Sequence, residues 1–188
     1  YELVDYLTDL HIPHVLAHPF FNVNDRLTVT HFEELVLLFK YVEINGDQGP
    51  EANALLRRFL DLLTPELMES LAEKHNRYPR FPEPWRKYVT AGSDDHGSLA
   101  LADTYTEVKG ATTVEQFFRG LEHERAEVFY GGASPRKMAR SIYGIAYQFY
   151  KHRLGLEKHV RNDLLLSLLD QFLCANNAVG SSGITARV

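Results

Sequence analysis

Asp94 and His96, in the stretch Ala91-Gly92-Ser93-Asp94-Asp95-His96-Gly97, put a carboxylate and an imidazole two residues apart. In extended backbone that spacing turns both side chains to one side. Oxygen and nitrogen donors of this kind suit zinc, manganese or iron. The preceding Arg86-Lys87-Tyr88-Val89-Thr90 is short and partly β-prone, and the glycines mark a sharp turn. The pair is therefore expected where a strand becomes a loop. Polar groups end two other apolar runs: His18 after His14-Val15-Leu16-Ala17, and Glu43 with Asn45 in Tyr41-Val42-Glu43-Ile44-Asn45. Plainer roles compete for each. A histidine ending a strand often bonds backbone, an aspartate often steadies its own turn, and Glu43 suits an interior carboxylate held by an amide. Asp95, between the pair, is expected to face away. Ser134-Pro135-Arg136-Lys137 is first of all a helix cap, and its free N–H groups and two cations also suit phosphate. Cys174 has no nearby base, and His75, His123, His152 and His159 read as surface residues.

Helices and short strands must position these groups. Leu3, Val4, Leu7 and Leu10 share a helical face that ends at Ile12-Pro13. Thr30 with Glu33 reads as a capping box for a helix to Phe39. Residues 51–63 make the clearest helix, with Ala52, Leu55, Leu56, Phe59, Leu60 and Leu63 as its core stripe. Thr64-Pro65 begins another helix, and the proline-rich stretch from Tyr78 to Trp85 is a loop. Thr104–Val108 and Glu127–Tyr130 read as extended, on either side of a helix capped by Thr113 and Gln116. After Ser134-Pro135, Met138, Ile142, Ile145, Ala146 and Phe149 line a long helix. A last helix spans about 162–173, and a polar tail runs over 174–188. Strands alternating with helices imply a parallel sheet or barrel, whose carboxyl strand ends bind ligands.

The 188 residues, 45% apolar and 24% charged, suit one domain with a full core. A net charge of −5 argues against a general binder of nucleic acid or anionic membrane. The single cysteine excludes an internal disulfide, which fits a reducing cytoplasm. No apolar run approaches a membrane span. Tyr1 opens directly into a helical pattern, so a piece of a longer polypeptide is expected.

His18-Pro19, Val42-Glu43-Ile44-Asn45, Gly92-Ser93-Asp94-x-His96 and Ser134-Pro135-Arg136-Lys137 occur in an order that resembles the C-terminal half of a PHP (polymerase and histidinol phosphatase) domain. The resemblance covers about residues 1–155. It implies a partial, distorted (β/α)7 TIM-like barrel of PHP type, with residues 156–188 adding a helix and a flexible tail or linker. It also implies two or three divalent ions (manganese, zinc or iron) at the strand ends. By position His18, Asp94 and His96 match the family's metal ligands. Glu43 and Asn45 stand beside the site, and Ser134, Arg136 and Lys137 would hold phosphate. The family's N-terminal HxH motif, and the histidine and glutamate ligands between it and the His-Pro element, have no counterpart here. Neither His11-x-x-His14 nor His152 replaces them.

The implied activity is metal-dependent hydrolysis of a small phosphate ester by metal-activated water. The alternative is a catalytically degenerate PHP-like module for interaction or regulation. It would sit in a larger protein, joined for example to a glycosyltransferase-like or polymerase region. An amidohydrolase-like barrel acting on C–N bonds is a third reading. A half-barrel exposes edge strands, so the implied partner is the missing upstream part or another subunit.

Overall fold

The computed structural model describes residues 1–21, 26–97, 99–123 and 125–174. Chain order is α1 (Glu2–Asp9), β1 (Val15–Leu16), α2 (Val29–Leu38), β2 (Tyr41–Asn45), α3 (Pro50–Asp61), α4 (Pro65–His75), β3 (Tyr88–Gly92), β4 (Thr104–Val108), α5 (Val114–Glu122), β5 (Ala126–Tyr130), α6 (Pro135–Arg153), α7 (Glu157–Val160) and α8 (Leu164–Leu173). Two units form, one from Tyr1–Asp94 with Ala102–Ala133, the other from Asp95–Leu101 with the chain from Ser134 onward.

The first unit carries a parallel sheet in the order β1-β2-β3, in which Tyr41 pairs with Val15 and Tyr88, and Asn45 with Gly92. Its centre, β2, is covered on both faces: Val42 and Ile44 share one, buried against Leu56 of α3 with Val89, Ala91 and Val128 packed beside them, and Tyr41 is buried on the other with Val108 and Leu121. That two-sided burial is usual for a parallel strand covered by helices. α2 and α4 close a second cluster through Val36, Leu37, Leu63, Met68 and Leu71.

The barrel expectation is overturned. β4 and β5 form a separate antiparallel pair, Thr104 opposite Tyr130 and Val108 opposite Ala126, and no barrel closes among the described residues. The pair adjoins β3 through the Thr106 hydroxyl, which accepts from Ala91 N at 2.6 Å. The physical reason lies in their faces. β5 alternates half-buried and exposed residues, and Tyr105 and Phe129 stack across the pair at 4.7 Å while each stays more than a third exposed. One wet face and one packed face is the antiparallel pattern. Gly120 lets α5 lie close on β4, since a Cβ there would sit 2.1 Å from Val108 Cγ1.

Other local expectations shift. The capping box of α2 is Thr28 with His31: Thr28 Oγ1 accepts from His31 N, and His31 Nδ1 accepts from Thr28 N. In α3 Leu55 is 59% exposed, and Asn53 takes a buried place on the inner stripe with Leu56. α1 buries no residue. His75 is not at the surface; its ring is 6% exposed and bonds Glu33 Oε2 through Nε2 at 2.7 Å.

In the second unit α6 and α8 pack together. Lys151 Nζ donates to Asp170 Oδ1 at 2.5 Å and Arg140 Nε to Phe172 O at 3.1 Å. A Cβ on Gly144 would meet Leu173 O at 2.7 Å. Met138, Ile142, Ile145 and Phe149, expected as the packed face of α6, are all exposed. Past Cys174 the expected tail lies outside the described residues. No helix among the described residues is long and apolar enough to cross a membrane.

Candidate functional site at the strand ends

At the carboxyl ends of β1, β2 and β3 a polar cluster is built around Asn45, which is fully buried. Its amide nitrogen donates to Glu43 Oε2 at 3.2 Å and to Asp94 Oδ2 at 3.0 Å, bridging two carboxylates from neighbouring strands. Its amide oxygen accepts from Asp47 N at 2.9 Å and Gln48 N at 3.1 Å, which shapes the turn after β2. Its backbone is held by Asn53: Asn45 N donates to Asn53 Oδ1, and Asn53 Nδ2 donates to Asn45 O. Every hydrogen-bonding group of Asn45 is used, as burial of an amide requires.

Glu43 reaches back to β1, where Oε2 also accepts from His18 N at 2.9 Å. Two glycines make room. A Cβ on Gly92 would lie 2.3 Å from Glu43 Oε1, and one on Gly46 would lie 2.8 Å from Thr104 Oγ1 and 2.9 Å from Ser93. Gly46 N in turn donates to Gly92 O at 2.8 Å, so the ends of β2 and β3 are locked together. His18 (φ 32°) and Asp94 (φ 51°) adopt left-handed backbone, a costly conformation for residues with a Cβ.

The structure brings Glu43, Asn45 and Asp94 together, with the backbone of His18. The His18 ring packs edge-on against Phe21 at 5.6 Å. β3 ends at Gly92 and Asp94 is left-handed, so strand alternation does not carry on to His96. His96 is exposed and belongs to the second unit, as do Ser134, Arg136 and Lys137. There Asp95 holds its own loop, Oδ1 accepting from Gly97 N and Oδ2 from Ala100 N, both at 3.1 Å. Ser134 caps α6, its hydroxyl accepting from Lys137 N at 3.2 Å.

Asn53 is not among the residues expected at the site because the apolar stripe of 51–63 draws attention to Ala52, Phe59 and the leucines alone. An asparagine on the buried side of an amphipathic stripe was the available signal. Gln48 was missed too. It is buried, and its Oε1 has no hydrogen-bond partner among the described residues.

Oxygen donors of this kind suit a hard divalent ion. Their number falls short: among the described residues no group of three or more His, Cys, Asp or Glu side chains is placed to hold a metal. The cluster by itself is therefore not a complete metal centre. No family model, curated protein or solved structure matches the chain.

Proposed function

We propose that this chain belongs to a metal-dependent phosphoesterase of PHP-like site chemistry, and that Glu43 and Asp94 supply part of its cation-binding wall. The observation that carries the reading is the amide bridge of Asn45 between two carboxylates at adjacent strand ends. Like charges held side by side favour a counter-cation in the space they share. Manganese, zinc or iron, completed by His18 or groups of another polypeptide, would polarise a phosphoryl oxygen and acidify a water when bound. Because the described donors do not complete that centre, the chain's own contribution is limited to holding the two half-buried carboxylates in fixed register. The substrate class is a small phosphate monoester rather than nucleic acid, consistent with the net charge of −5. A cytoplasmic setting, supported by the lone cysteine, belongs to the same proposal.

The shortage of metal donors favours a second reading, a catalytically degenerate module kept for interaction. Its helices offer exposed apolar residues such as Ile142, Phe149, Leu165 and Phe172. Manganese binding separates the two. Titration of the purified chain with MnCl2, followed by electron paramagnetic resonance, should show saturable binding that weakens at least tenfold in Glu43→Gln/Asp94→Asn. Absence of binding, or equal binding in a variant shown to be folded by circular dichroism, would leave the module.

A further inference from the structure

A pocket of about 330 Å³ opens at the amino-terminal end of β2, away from the strand-end carboxylates and lined by the first unit alone. We propose that it binds a small neutral phenol, with the aromatic body against its apolar walls and the hydroxyl between Glu122 Oε2 and Lys40 Nζ. Ile12, Pro13, Leu38, Phe81 and Phe118 make the apolar walls. Lys40, Tyr41 and Glu122 line it as one hydrogen-bonded group.

The polar groups choose the head of the ligand. Glu122 Oε1 accepts two bonds, from Lys40 Nζ at 2.7 Å and from the Tyr41 hydroxyl at 2.6 Å, while Oε2 has no partner among the described residues. Lys40 makes no second hydrogen bond there, which leaves further ammonium hydrogens to give. An open acceptor and an open donor side by side match a hydroxyl, which donates one hydrogen and accepts another. The chain shows one such bond already, because the Tyr41 phenol donates to this same carboxylate. The ligand repeats that bond on the second oxygen, and the charge of the acceptor strengthens it.

Charge and shape choose the rest. Lys40 and Glu122 neutralise each other, with side chains only 22% and 36% exposed, so an anionic or cationic ligand would have to break a part-buried pair. Two histidines on the pocket, when neutral, add acceptors and no cation: Nδ1 of His14 donates to Ile12 O at 2.9 Å and Nδ1 of His11 to Thr8 O at 3.2 Å, which leaves each ring an acceptor at Nε2. Tyr41 and Phe118 meet edge-on at 5.5 Å, a packing that a further ring can join by edge or face. Ile12 lines the pocket while 43% exposed, apolar surface that a bound ring would cover. The volume lies in the range that small-molecule sites occupy.

The full chain is titrated with 4-methylphenol, and with 4-methoxytoluene, 4-methylbenzoate and 4-methylbenzylamine alongside, by calorimetry and by methyl NMR. The phenol should bind saturably, with a Kd at or below about 1 mM, and shift the methyl signals of Ile12 and Leu38. The methyl ether, which lacks the donor, and the two charged analogues should bind at least tenfold more weakly. Ile12→Glu puts a charge on the apolar wall at an exposed position, so it should keep the wild-type circular dichroism and lose at least tenfold in affinity. Glu122→Gln should narrow the ratio of phenol to ether binding, a readout that a purely structural change does not move. No saturable binding of the phenol, shifts that bypass Ile12 and Leu38, or full affinity in folded Ile12→Glu would overturn the site. Equal binding of the ether, or an unchanged ratio in Glu122→Gln, would overturn the role given to Glu122. Benzoate or benzylamine binding as tightly as the phenol would overturn the neutral head. Asp94→Asn should leave the titration unchanged, so this site and the proposed metal wall fail separately.

Discussion

Replacing Asn45 with aspartate changes one group at the centre of the strand-end cluster. The side chain keeps its shape, and its remaining oxygen still accepts from Asp47 N and Gln48 N. The amide nitrogen that bridges Glu43 and Asp94 at 3.2 and 3.0 Å becomes an oxygen. Two hydrogen bonds to charged acceptors are lost, each worth about 1.5–3 kcal/mol. A third negative charge also arrives beside two others, and at an effective dielectric of about 20 each contact is unfavourable by up to roughly 4 kcal/mol. Glu43 and Asp94 are half-buried, so water screens part of this. A net loss of about 3–5 kcal/mol at pH 7 is expected, a large share of the 5–15 kcal/mol that holds a typical domain. Urea unfolding, followed by Trp85 fluorescence, measures it. Two recoveries should accompany the loss. Acidification to pH 5 lets one carboxyl take a proton and donate again, and millimolar MnCl2 should raise the N45D midpoint more than the wild-type one, because the cation binds the folded acidic cluster. A loss below about 0.5 kcal/mol, the size of an ordinary surface substitution, would mean that the amide bridge does not exist.

Gly92→Ala should push Glu43 off its partners, because the new Cβ would fall 2.3 Å from Oε1. A cost of about 1–3 kcal/mol in urea unfolding is expected, with weaker manganese binding. Burial pushes the Lys87 ammonium down to about 7, below its ordinary 10.5, so between those values the unfolded chain binds the extra proton and stability rises with pH. The urea midpoint should therefore climb from pH 7 to 9 in the wild type and climb less in Lys87→Met; equal slopes would contradict this. Tyr41→Phe removes the bond from the phenol to Glu122 Oε1, 2.6 Å long, and should cost about 1–2 kcal/mol. Its absence would show as an unchanged urea midpoint.

How far the sequence carried depended on whether a signal was local. Thr64, Thr113 and Ser134 were legible as helix starts because a cap is decided within four residues, and their hydroxyls accept from Leu67, Gln116 and Lys137 N. At α2 the same reasoning missed by two residues, since His31 filled the role expected of an acidic partner. Barrel closure is not local. Element order alone fits parallel and antiparallel β4–β5 equally, and the deciding feature, one wet face in Thr104–Val108 and Ala126–Tyr130, is not written in polarity, because Tyr105 and Phe129 lie on that face and Thr104 is buried. Glu43 and Asp94 were legible as strand-end acids. Their tie through Asn45, and the support of Asn53 from α3, depend on which helix covers the sheet, and no short stretch of sequence encodes that.

The most direct test of the strand-end cluster as a cation wall is an anomalous-scattering measurement on crystals of the chain soaked in MnCl2. An anomalous peak within coordination distance of both Glu43 and Asp94 carboxylates, absent from Asp94→Asn crystals, is the predicted result. Crystals in which manganese occupies other carboxylates while this pair keeps its amide bridge and no peak would contradict the account.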